Sequence, residues 1–339
     1  MSGMAETIRW GILATGGIAA TFTTDLLTLP DAEVVAVGSR TEAAAAAFAD
    51  RFGIRNRHGS WRALAEDPEV DIVYVATTHN AHYDATALCL DAGKAVLCEK
   101  PFTLNLRQTL ELQDKARRRD VFLMEAMWMR CNPAFLKMQE LVRDGAIGEV
   151  QTVHCDFHLA GPFTADHRLR DPHLGGGALL DLGVYPITVA HAVLGVPQAV
   201  KAWAKLNPEG SDATTGMIFG YDSGAMAALT CGISADSPVS AVISGPGGRI
   251  VMNAPFFIPN GLVLHRTGQA PQRWDVPFTG NGMNHEAVEA MRCMRLGALE
   301  SPLVSWQATA EVMALLDGVR EQIGVRYPGE SPAASGEAS

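Results

Sequence analysis

The stretch IRWGILATGGIAATF, residues 8–22, joins a short apolar run to a segment that reads as a helix. Such a strand-to-helix turn carries the pattern G-x-G-x-x-G/A in dinucleotide-binding folds, because backbone N–H groups and the helix dipole meet a pyrophosphate there. The six residues in register run from Ala14 to Ala19, with alanine at the first glycine position. Ala14 is compatible with the loop if its φ stays negative. We therefore predict a dinucleotide site built on Thr15, Gly16, Gly17 and Ile18.

The end of the second strand-like run favours NADP over NAD. The run EVVAVGS (33–39) leads into Arg40, and no acidic residue follows until Glu42. An acid at this point would bind the adenosine ribose of NAD, whereas a hydroxyl followed by a guanidinium suits a 2′-phosphate. We expect Ser39 and Arg40 to hold that phosphate. The alternative is that Arg40 is a solvated residue that opens a helix.

Two opposite charges follow a later strand-like run. The segment AGKAVLCEKPFTLN (92–105) passes from apolar residues into Glu99, Lys100 and Pro101. This places an acid and a base at the carboxyl edge of a parallel sheet, which is where α/β folds bind ligands. We predict that Glu99 and Lys100 belong to a ligand site. A structural ion pair that closes the strand is the alternative.

The order of strand-like and helix-like segments predicts an α/β domain followed by an α+β arrangement. In residues 1–125, short apolar runs alternate with alanine-rich helical segments, which is the βαβ rhythm of a Rossmann dinucleotide-binding domain. Residues 126–327 hold six longer strand-like runs between 150 and 253, and two helices close the chain. These predict a C-terminal α/β domain with a large open, mostly antiparallel sheet. Residues 328–339 read as a polar tail with too few apolar residues to fold.

Composition favours a globular protein that binds small molecules. The 339 residues carry a formal net charge of −10, with 47% hydrophobic and 19% charged residues. No basic stripe is present to collect phosphates, so we expect no nucleic-acid partner. No apolar run approaches the roughly 18 residues of a membrane span, so we expect no membrane partner. The six cysteines form no C-x-x-C pair and no export signal precedes residue 8, which predicts a cytoplasmic protein.

Several runs of the sequence together resemble the Gfo/Idh/MocA oxidoreductase family. They are WGILATGGIAATF (10–22), VVAVGSR (34–40), ALCLDAGKAVLCEKP (87–101), FLMEAMWMR (122–130) and LGGGALLDLGVYP (174–186). Their order is most similar to the branch of dimeric dihydrodiol and NADP-dependent D-xylose dehydrogenases, and the similarity continues through residues 300–328. The resemblance implies an NADP-binding Rossmann domain, no metal, and a substrate domain whose open sheet forms a homodimer.

The resemblance also implies roles for individual residues. By the family's pattern, Lys100 contacts the substrate hydroxyl or the nicotinamide ribose, Tyr185 is the proton donor and acceptor, and Thr77, His79 and His82 line the nicotinamide side. The implied reaction is hydride transfer between NADP and a secondary or anomeric hydroxyl of a small cyclic polyol, such as D-xylose or a trans-dihydrodiol. An alternative for His79 is a histidine at the start of a helix, bonded to backbone.

Hydride transfer at a C–OH carbon requires a group that exchanges a proton with the oxygen. The unperturbed pKa of tyrosine, ~10, is too high for a base at neutral pH, and a nearby ammonium such as that of Lys100 lowers it. Glycines 175–177 permit a tight turn into a helix that puts Asp181 and Tyr185 on one face, against the substrate. Gly183 and Pro186 weaken that helix. The alternative is a core tyrosine with a satisfied hydroxyl.

Aromatic residues supply candidates for the substrate wall. Trp128 and Phe157, with Phe257, are expected to pack against a sugar ring or a cyclohexadiene diol, and ordinary core packing is the alternative. The polar residues that alternate along 154–158 share one face of a strand, which we expect to face solvent or a dimer partner and to bind no metal. Two further classes of function stay open: an NAD-dependent glycosidase of the same fold, and a catalytically silent NADP sensor.

Overall fold

The computed structural model describes residues 6–330, which form two sheets and the helices that cover them. The first sheet comprises β1 (Ile8–Leu13), β2 (Ala32–Gly38), β3 (Asn56–His58), β4 (Ile72–Val75), β5 (Ala95–Glu99) and β6 (Leu123–Ala126). The second comprises β7 (Thr152–His158), β8 (Ala199–Leu206), β9 (Asp212–Gly220), β10 (Met226–Gly232), β11 (Ala241–Gly245), β12 (Gly248–Met252), β13 (Gly261–Arg266) and β14 (Gln272–Asp275). The α-helices are α1 (Gly17–Leu26), α2 (Glu42–Phe52), α3 (Trp61–Ala65), α4 (His82–Asp91), α5 (Leu106–Arg119), α6 (Pro133–Arg143), α7 (Val184–Leu194), α8 (Asn284–Arg295) and α9 (Trp306–Ile323).

The first sheet is parallel throughout and has the strand order β3-β2-β1-β4-β5-β6. Its central strands β1, β4 and β5 are apolar and almost wholly buried, because helices cover both faces. The strand order reverses direction between β1 and β4, so the carboxyl ends of these two strands open onto a crevice. The predicted Rossmann domain is confirmed.

No side chain caps the N-terminus of α1, in contrast to the helices α2 and α9. Thr41 caps α2 and Ser305 caps α9, each through its hydroxyl oxygen. Gly16 precedes α1 with extended backbone and has no side chain to accept a hydrogen bond. The first N–H groups of α1 are therefore available to a ligand.

The second sheet is open and has the strand order β14-β13-β12-β11-β7-β10-β9-β8. All its pairs are antiparallel except β7 with β10, which confirms the predicted mostly antiparallel sheet. Burial alternates along β7 and β9, since one face packs on α6 and α7. The other face exposes apolar side chains, including Trp203, Ile218 and Met226.

The helical run Pro172–Leu194 corrects one expectation from the sequence. Its 23 residues are long and apolar enough to cross a membrane by length and composition, although no run of that length was expected. However, 78% of its most apolar window is buried inside the protein. Its hydrophobicity therefore reflects a core position, where β7 and β10 cover one side and α9 another.

The predicted polar tail contributes at least one residue to the fold. Residues 331–339 lie outside the described part of the chain, but Glu330 accepts hydrogen bonds from Arg320 and from the backbone N–H of Tyr327. The fold therefore includes Glu330, because its carboxylate pairs with the buried guanidinium of Arg320.

Candidate active site

A cavity of about 830 Å³ lies at the carboxyl ends of β1, β2, β4 and β5. It extends from the α1 N-terminus to the helical segment that carries Asp181 and Tyr185. All eleven residues predicted to bind the cofactor line it: Thr15, Gly16, Gly17, Ile18, Ser39, Arg40, Thr77, His79, His82, Glu99 and Lys100. Trp128, Asp181 and Tyr185 line the same cavity, so the structure brings the predicted cofactor set together with three of the four predicted substrate residues.

The loop between β1 and α1 has a conformation that the sequence analysis did not expect. Ala14 has a φ of 95°, so the condition of a negative φ is wrong. Its N–H donates to the carbonyl of Gly38 at 2.9 Å, which ties the loop to β2 in this conformation. Glycine is the usual residue where φ is positive, and alanine holds this position at a cost in strain.

Gly16 and Gly17 are not required by protein packing. A Cβ added to either residue would meet no atom within 4 Å, and neither has a positive φ. The space beside them belongs to the cavity and faces the uncapped N-terminus of α1. An anion bound against the backbone explains two glycines in open space, so these residues fit a dinucleotide pyrophosphate.

Ser39 and Arg40 lie at the other side of the same loop. The Ser39 Oγ is 3.5 Å from the Thr15 Oγ1, and Ser39 is buried at the end of β2. Arg40 is exposed and forms no ion pair with any residue in the described part of the chain. Its guanidinium is free to bind an anion, and both interpretations of Arg40 stay open.

Lys100 is held by a single residue of the second domain. Its Nζ donates to the backbone oxygen of Asp181 at 2.8 Å and to Asp181 Oδ1 at 3.1 Å. The same Oδ1 lies 3.3 Å from His79 Nε2 and 3.1 Å from Arg168 Nη1. One buried carboxylate oxygen therefore fixes three basic groups around the cavity.

The protonation of this cluster follows from competition between burial and charge. Burial lowers the pKa of Lys100, but Asp181 and nearby acidic groups outweigh this and hold the pKa above its ordinary value. Burial raises the pKa of Asp181, but Lys100 and His79 hold it well below its ordinary value. The pair is ionised at neutral pH.

Tyr185 lies beside this pair with only 3% of its surface exposed. The Lys100 Nζ is 4.9 Å from the centre of its ring, and the Trp128 Nε1 donates to its hydroxyl oxygen at 2.7 Å. Burial raises the pKa of Tyr185 to about 12, although Lys100 acts in the opposite direction. Lys100 therefore lowers this pKa as expected, but the loss of hydration outweighs the ammonium charge, so the net pKa of Tyr185 lies above its ordinary value in the free protein.

The segment before Tyr185 is more irregular than the predicted helix. Leu179–Gly183 form one wide π-helical turn, and α7 begins only at Val184. A Cβ at Gly177 would collide with the Asp212 carboxylate, whose Oδ2 accepts from the N–H of Leu179 at 2.8 Å. Gly177 also has a φ of 129°, which only glycine adopts readily. The wide turn places Asp181 at Lys100, and π-turns of this kind are frequent at functional sites.

Glu99 and the two histidines support the wall of the cavity. Tyr74 donates its hydroxyl proton to Glu99, and the Lys100 N–H donates to Glu99 Oε2 at 3.1 Å. Burial raises the pKa of Glu99. Burial lowers the pKa of His82 to about 3, and its Nδ1 and Nε2 lie 2.8 Å and 3.2 Å from the carbonyls of Pro101 and Thr77. A neutral imidazole can donate to only one of these two carbonyls. His82 therefore stabilises the backbone of the cavity wall through one hydrogen bond.

His79 combines both of its predicted interpretations. Its Nδ1 lies 3.0 Å from the carbonyl of Gly175, and its Nε2 faces Asp181. It is therefore a buried histidine at the start of a helix, bonded to backbone, that also lines the cavity.

Phe157 does not line the cavity, unlike Trp128. Its buried ring stacks on Phe257, which does not line the cavity either, at 4.5 Å between centroids, and lies 5.5 Å from the Tyr185 ring. On the opposite face of the same strand, Asp156 accepts from the N–H of Val239 at 2.9 Å. Within residues 6–330, no group of three or more His, Cys, Asp or Glu side chains is arranged to hold a metal ion.

Several cavity residues were not predicted from the sequence, and three of them lie outside the segments that supplied predicted site residues. Arg168 comes from the loop after β7, Trp61 opens α3 and Met283 precedes α8. Met283 is placed by its N–H, which donates to the buried Asp25 of α1 at 2.8 Å. No local motif marks these residues, because contacts distant in sequence bring each of them to the cavity.

Comparison with known proteins finds relatives that cover nearly the whole chain. Residues 8–127 match the oxidoreductase family Gfo/Idh/MocA, described as an NAD-binding Rossmann fold, and residues 135–251 match the C-terminal domain of that family. A trans-1,2-dihydrobenzene-1,2-diol dehydrogenase of Mus musculus is 36% identical over 95% of this chain and 98% of its own. The Danio rerio enzyme of the same name is 37% identical over 96% of this chain and 99% of its own.

Solved structures agree with this placement. KijD10, a 3-ketoreductase from Actinomadura kijaniata crystallised with NADP and TDP-benzene, has a TM-score of 0.83 and 27% identity over 94% of this chain and 98% of its own. An aldose-aldose oxidoreductase from Caulobacter crescentus, 21% identical over 94% and 97%, has a TM-score of 0.84 and bears on the fold alone. The chain therefore belongs to the Gfo/Idh/MocA family of oxidoreductases, with an NAD-binding Rossmann domain, as its sequence motifs predict.

Proposed function

We propose that this chain is an NADP-dependent oxidoreductase that interconverts a secondary or anomeric hydroxyl and the carbonyl of a small cyclic polyol. Tyr185 is the proton donor and acceptor, and Lys100 assists it. The observation that carries the proposal is the hydrogen bonding of the Tyr185 hydroxyl. Its oxygen accepts from Trp128, and no acceptor among residues 6–330 takes its proton. The O–H is thus left for a substrate oxygen in the cavity.

The residues that line the cavity fit a nicotinamide dinucleotide. The open glycines and the free N–H groups of α1 suit the pyrophosphate, and Arg40 with Ser39 suits a 2′-phosphate. A bound nicotinamide dinucleotide supplies or accepts the hydride. NADP is also present in the KijD10 crystals, which supports the same choice for this chain.

Lys100 acts on Tyr185 through charge. Two of its three N–H groups donate to Asp181 and none donates to the phenol oxygen in the structure, so the ammonium, which lies over the tyrosine ring, favours phenolate by its charge. Trp128 stabilises the same oxygen with its indole N–H. Tyr185 nevertheless stays protonated in the free protein, with a pKa of about 12, so it can donate a proton to a reduced carbonyl at neutral pH.

The named relatives support a ring-shaped substrate that carries neighbouring hydroxyls. Those relatives are dehydrogenases of trans-1,2-dihydrobenzene-1,2-diol. In this chain Trp128 offers an indole edge to the cavity, while Asp181 and Arg168 offer polar contacts. A trans-dihydrodiol or an aldose such as D-xylose suits this combination of one aromatic side and one polar side.

We also propose that two copies of the chain associate through the open face of the second sheet. Trp203 is 73% exposed on β8, and Ile218 of β9 and Met226 of β10 are exposed on strands beside it. Apolar side chains grouped on one uncovered face are typical of interfaces.

The first experiment measures NADPH formation from NADP, with NAD in parallel, on aldoses, polyols, glycosides and trans-dihydrodiols. Turnover of one class with NADP supports the proposal. A glycoside cleaved without net NADPH formation indicates a glycosidase, and NADP binding with no turnover indicates a sensor. Tyr185→Phe is the paired variant, because it removes the hydroxyl that exchanges the proton and keeps the ring.

Tyr185→Phe should retain NADP affinity and lose about a hundredfold or more in kcat, in the range that proton-exchanging groups contribute. Tyr83→Phe is the matched control, since the Tyr83 hydroxyl donates to Glu111 away from the cavity. Near-normal kcat in Tyr185→Phe would remove Tyr185 from the mechanism.

A further inference from the structure

A buried tyrosine near the C-terminus touches the main chain that leads into the active site. Tyr327 is 3% exposed, and its hydroxyl donates to the carbonyl of Gly176 at 2.9 Å. Gly176 is the middle residue of the glycine triplet before the turn that carries Asp181. Tyr327 itself does not line the cavity. Its contact with the site is therefore indirect and passes through the backbone.

Several contacts fix the position of Tyr327. Glu330 accepts from Arg320 Nη1 at 2.8 Å, from Arg320 Nη2 at 2.9 Å and from the N–H of Tyr327 at 2.9 Å. The Arg320 guanidinium also lies 4.9 Å from the centre of the Tyr327 ring. Asn105, which caps α5, donates to Glu330 at 3.0 Å. These bonds fix the C-terminal strap, defined as residues 325–330, to α5 and α9.

Side chains from three parts of the chain bond the main chain of residues 175–179, in addition to the backbone bonds that the N–H groups of Gly176 and Gly177 donate to Asp171 and Leu169. His79 bonds the carbonyl of Gly175 at 3.0 Å, and Asp212 bonds the N–H of Leu179 at 2.8 Å. Tyr327 bonds the carbonyl between them. His79 also bonds Asp181, and Asp212 is a buried charge, so neither anchor can be removed without further effects. The Tyr327 hydroxyl makes no other hydrogen bond within residues 6–330.

We propose that Tyr327 is a positioning residue, whose hydroxyl sets the position of the turn that holds Asp181 against Lys100. The inference rests on the proposed function, because Tyr327 is assigned the role of positioning the residues beside Tyr185, the proton-exchanging group. The loss of the hydroxyl leaves a buried carbonyl without its partner, and the turn gains freedom. Asp181 then holds Lys100 less well, while the cofactor loop and the substrate wall stay in place.

The test is Tyr327→Phe, which keeps the buried ring and its contact with Arg320. With a substrate found in the panel, kcat should fall about tenfold, while KM and NADP affinity stay within about twofold of wild type, as expected for an effect on the chemical step. Tyr83→Phe again is the control for the loss of a tyrosine hydroxyl, and its kcat should not change. The proposal is overturned if the kcat of Tyr327→Phe equals that of this control. It is also overturned if NADP affinity falls by as large a factor as kcat.

A second readout separates this proposal from the proposed function. Amide hydrogen exchange over residues 176–185 should quicken in Tyr327→Phe and not in Tyr83→Phe, whether or not a substrate is found. Unchanged exchange overturns the positioning role, whereas the absence of turnover in wild type overturns only the proposed function. If Tyr327→Phe fails to fold, Glu330→Gln loosens the strap with the hydroxyl kept, and the same selective loss of kcat is expected.

Discussion

Replacement of Ala14 by glycine should stabilise this protein, which is unusual for an alanine-to-glycine change. The φ of Ala14 is 95°, a region where an L-residue with a Cβ costs about 1–2 kcal/mol relative to glycine. The greater freedom of glycine in the unfolded chain offsets roughly 0.5–1 kcal/mol of that gain. The net expectation for Ala14→Gly is a rise in the free energy of unfolding within the range of about 0–1.5 kcal/mol, with a middle value of ~0.8 kcal/mol.

The assay is urea denaturation of wild type, Ala14→Gly and Ala47→Gly. Ala47 is exposed in the middle of α2, where glycine should lower the free energy of unfolding by about 1 kcal/mol. The two variants share one chemical change and should shift the midpoint in opposite directions, with unchanged slopes. NADP affinity should not fall in Ala14→Gly, because the loop already has the conformation that glycine favours. A loss of stability in Ala14→Gly equal to that in Ala47→Gly would refute the reasoning.

Three further variants test other parts of the structure. Arg40→Ala should weaken NADP binding by about 10- to 100-fold, the worth of a charge-assisted hydrogen bond, with little effect on NAD; equal losses in a binding titration would exclude a phosphate contact. Burial raises the pKa of Asp212 to about 6, so the folded state binds more protons than the unfolded state between about pH 4 and 6, and the free energy of unfolding falls as pH rises across this window. Asp212→Asn should reduce this fall in the free energy of unfolding by up to ~3 kcal/mol, as measured by urea titrations at several pH values. An unchanged dependence on pH would show that Asp212 is not the titrating group. Trp203→Lys should separate the proposed dimer in size-exclusion chromatography with light scattering, whereas Leu296→Lys, which is as exposed but lies beyond α8, should not; a dimer that survives Trp203→Lys does not use this face.

The sequence was most informative where a pattern is local. Short apolar runs predicted β1, β2, β4 and β5, and longer strand-like runs predicted β7 to β12. Within residues 6–330 the sequence missed four strands: β6 and β13 are mostly apolar and buried, whereas β3 and β14 lack that signal. β3 is three polar residues and β14 is a short, mostly exposed edge strand, so backbone pairing with a neighbour defines them rather than burial.

The site shows the same division between local and distant information. The loop, the Glu99-Lys100 pair and the turn before Tyr185 were identified because each is a contiguous motif. Arg168 was missed because it reaches Asp181 from a loop without periodicity. The effect of Lys100 on the pKa of Tyr185 was predicted in the right direction, but the larger opposing effect of burial was not, because a sequence does not show how completely both side chains leave water. The sign of φ at Ala14 depends on its bond to Gly38, which the glycine pattern does not contain.

The two bonds that join Lys100 to Asp181 differ in how mutation can reach them. The carboxylate bond depends on the side chain and disappears in any substitution by a nonpolar residue. The bond to the backbone oxygen is common to all amino acids, so every variant at this position still offers the ammonium a partner 2.8 Å away as long as the turn keeps its path. The lysine is therefore placed by the backbone as well as by the acid, which makes its location more tolerant of substitution at residue 181 than its charge balance.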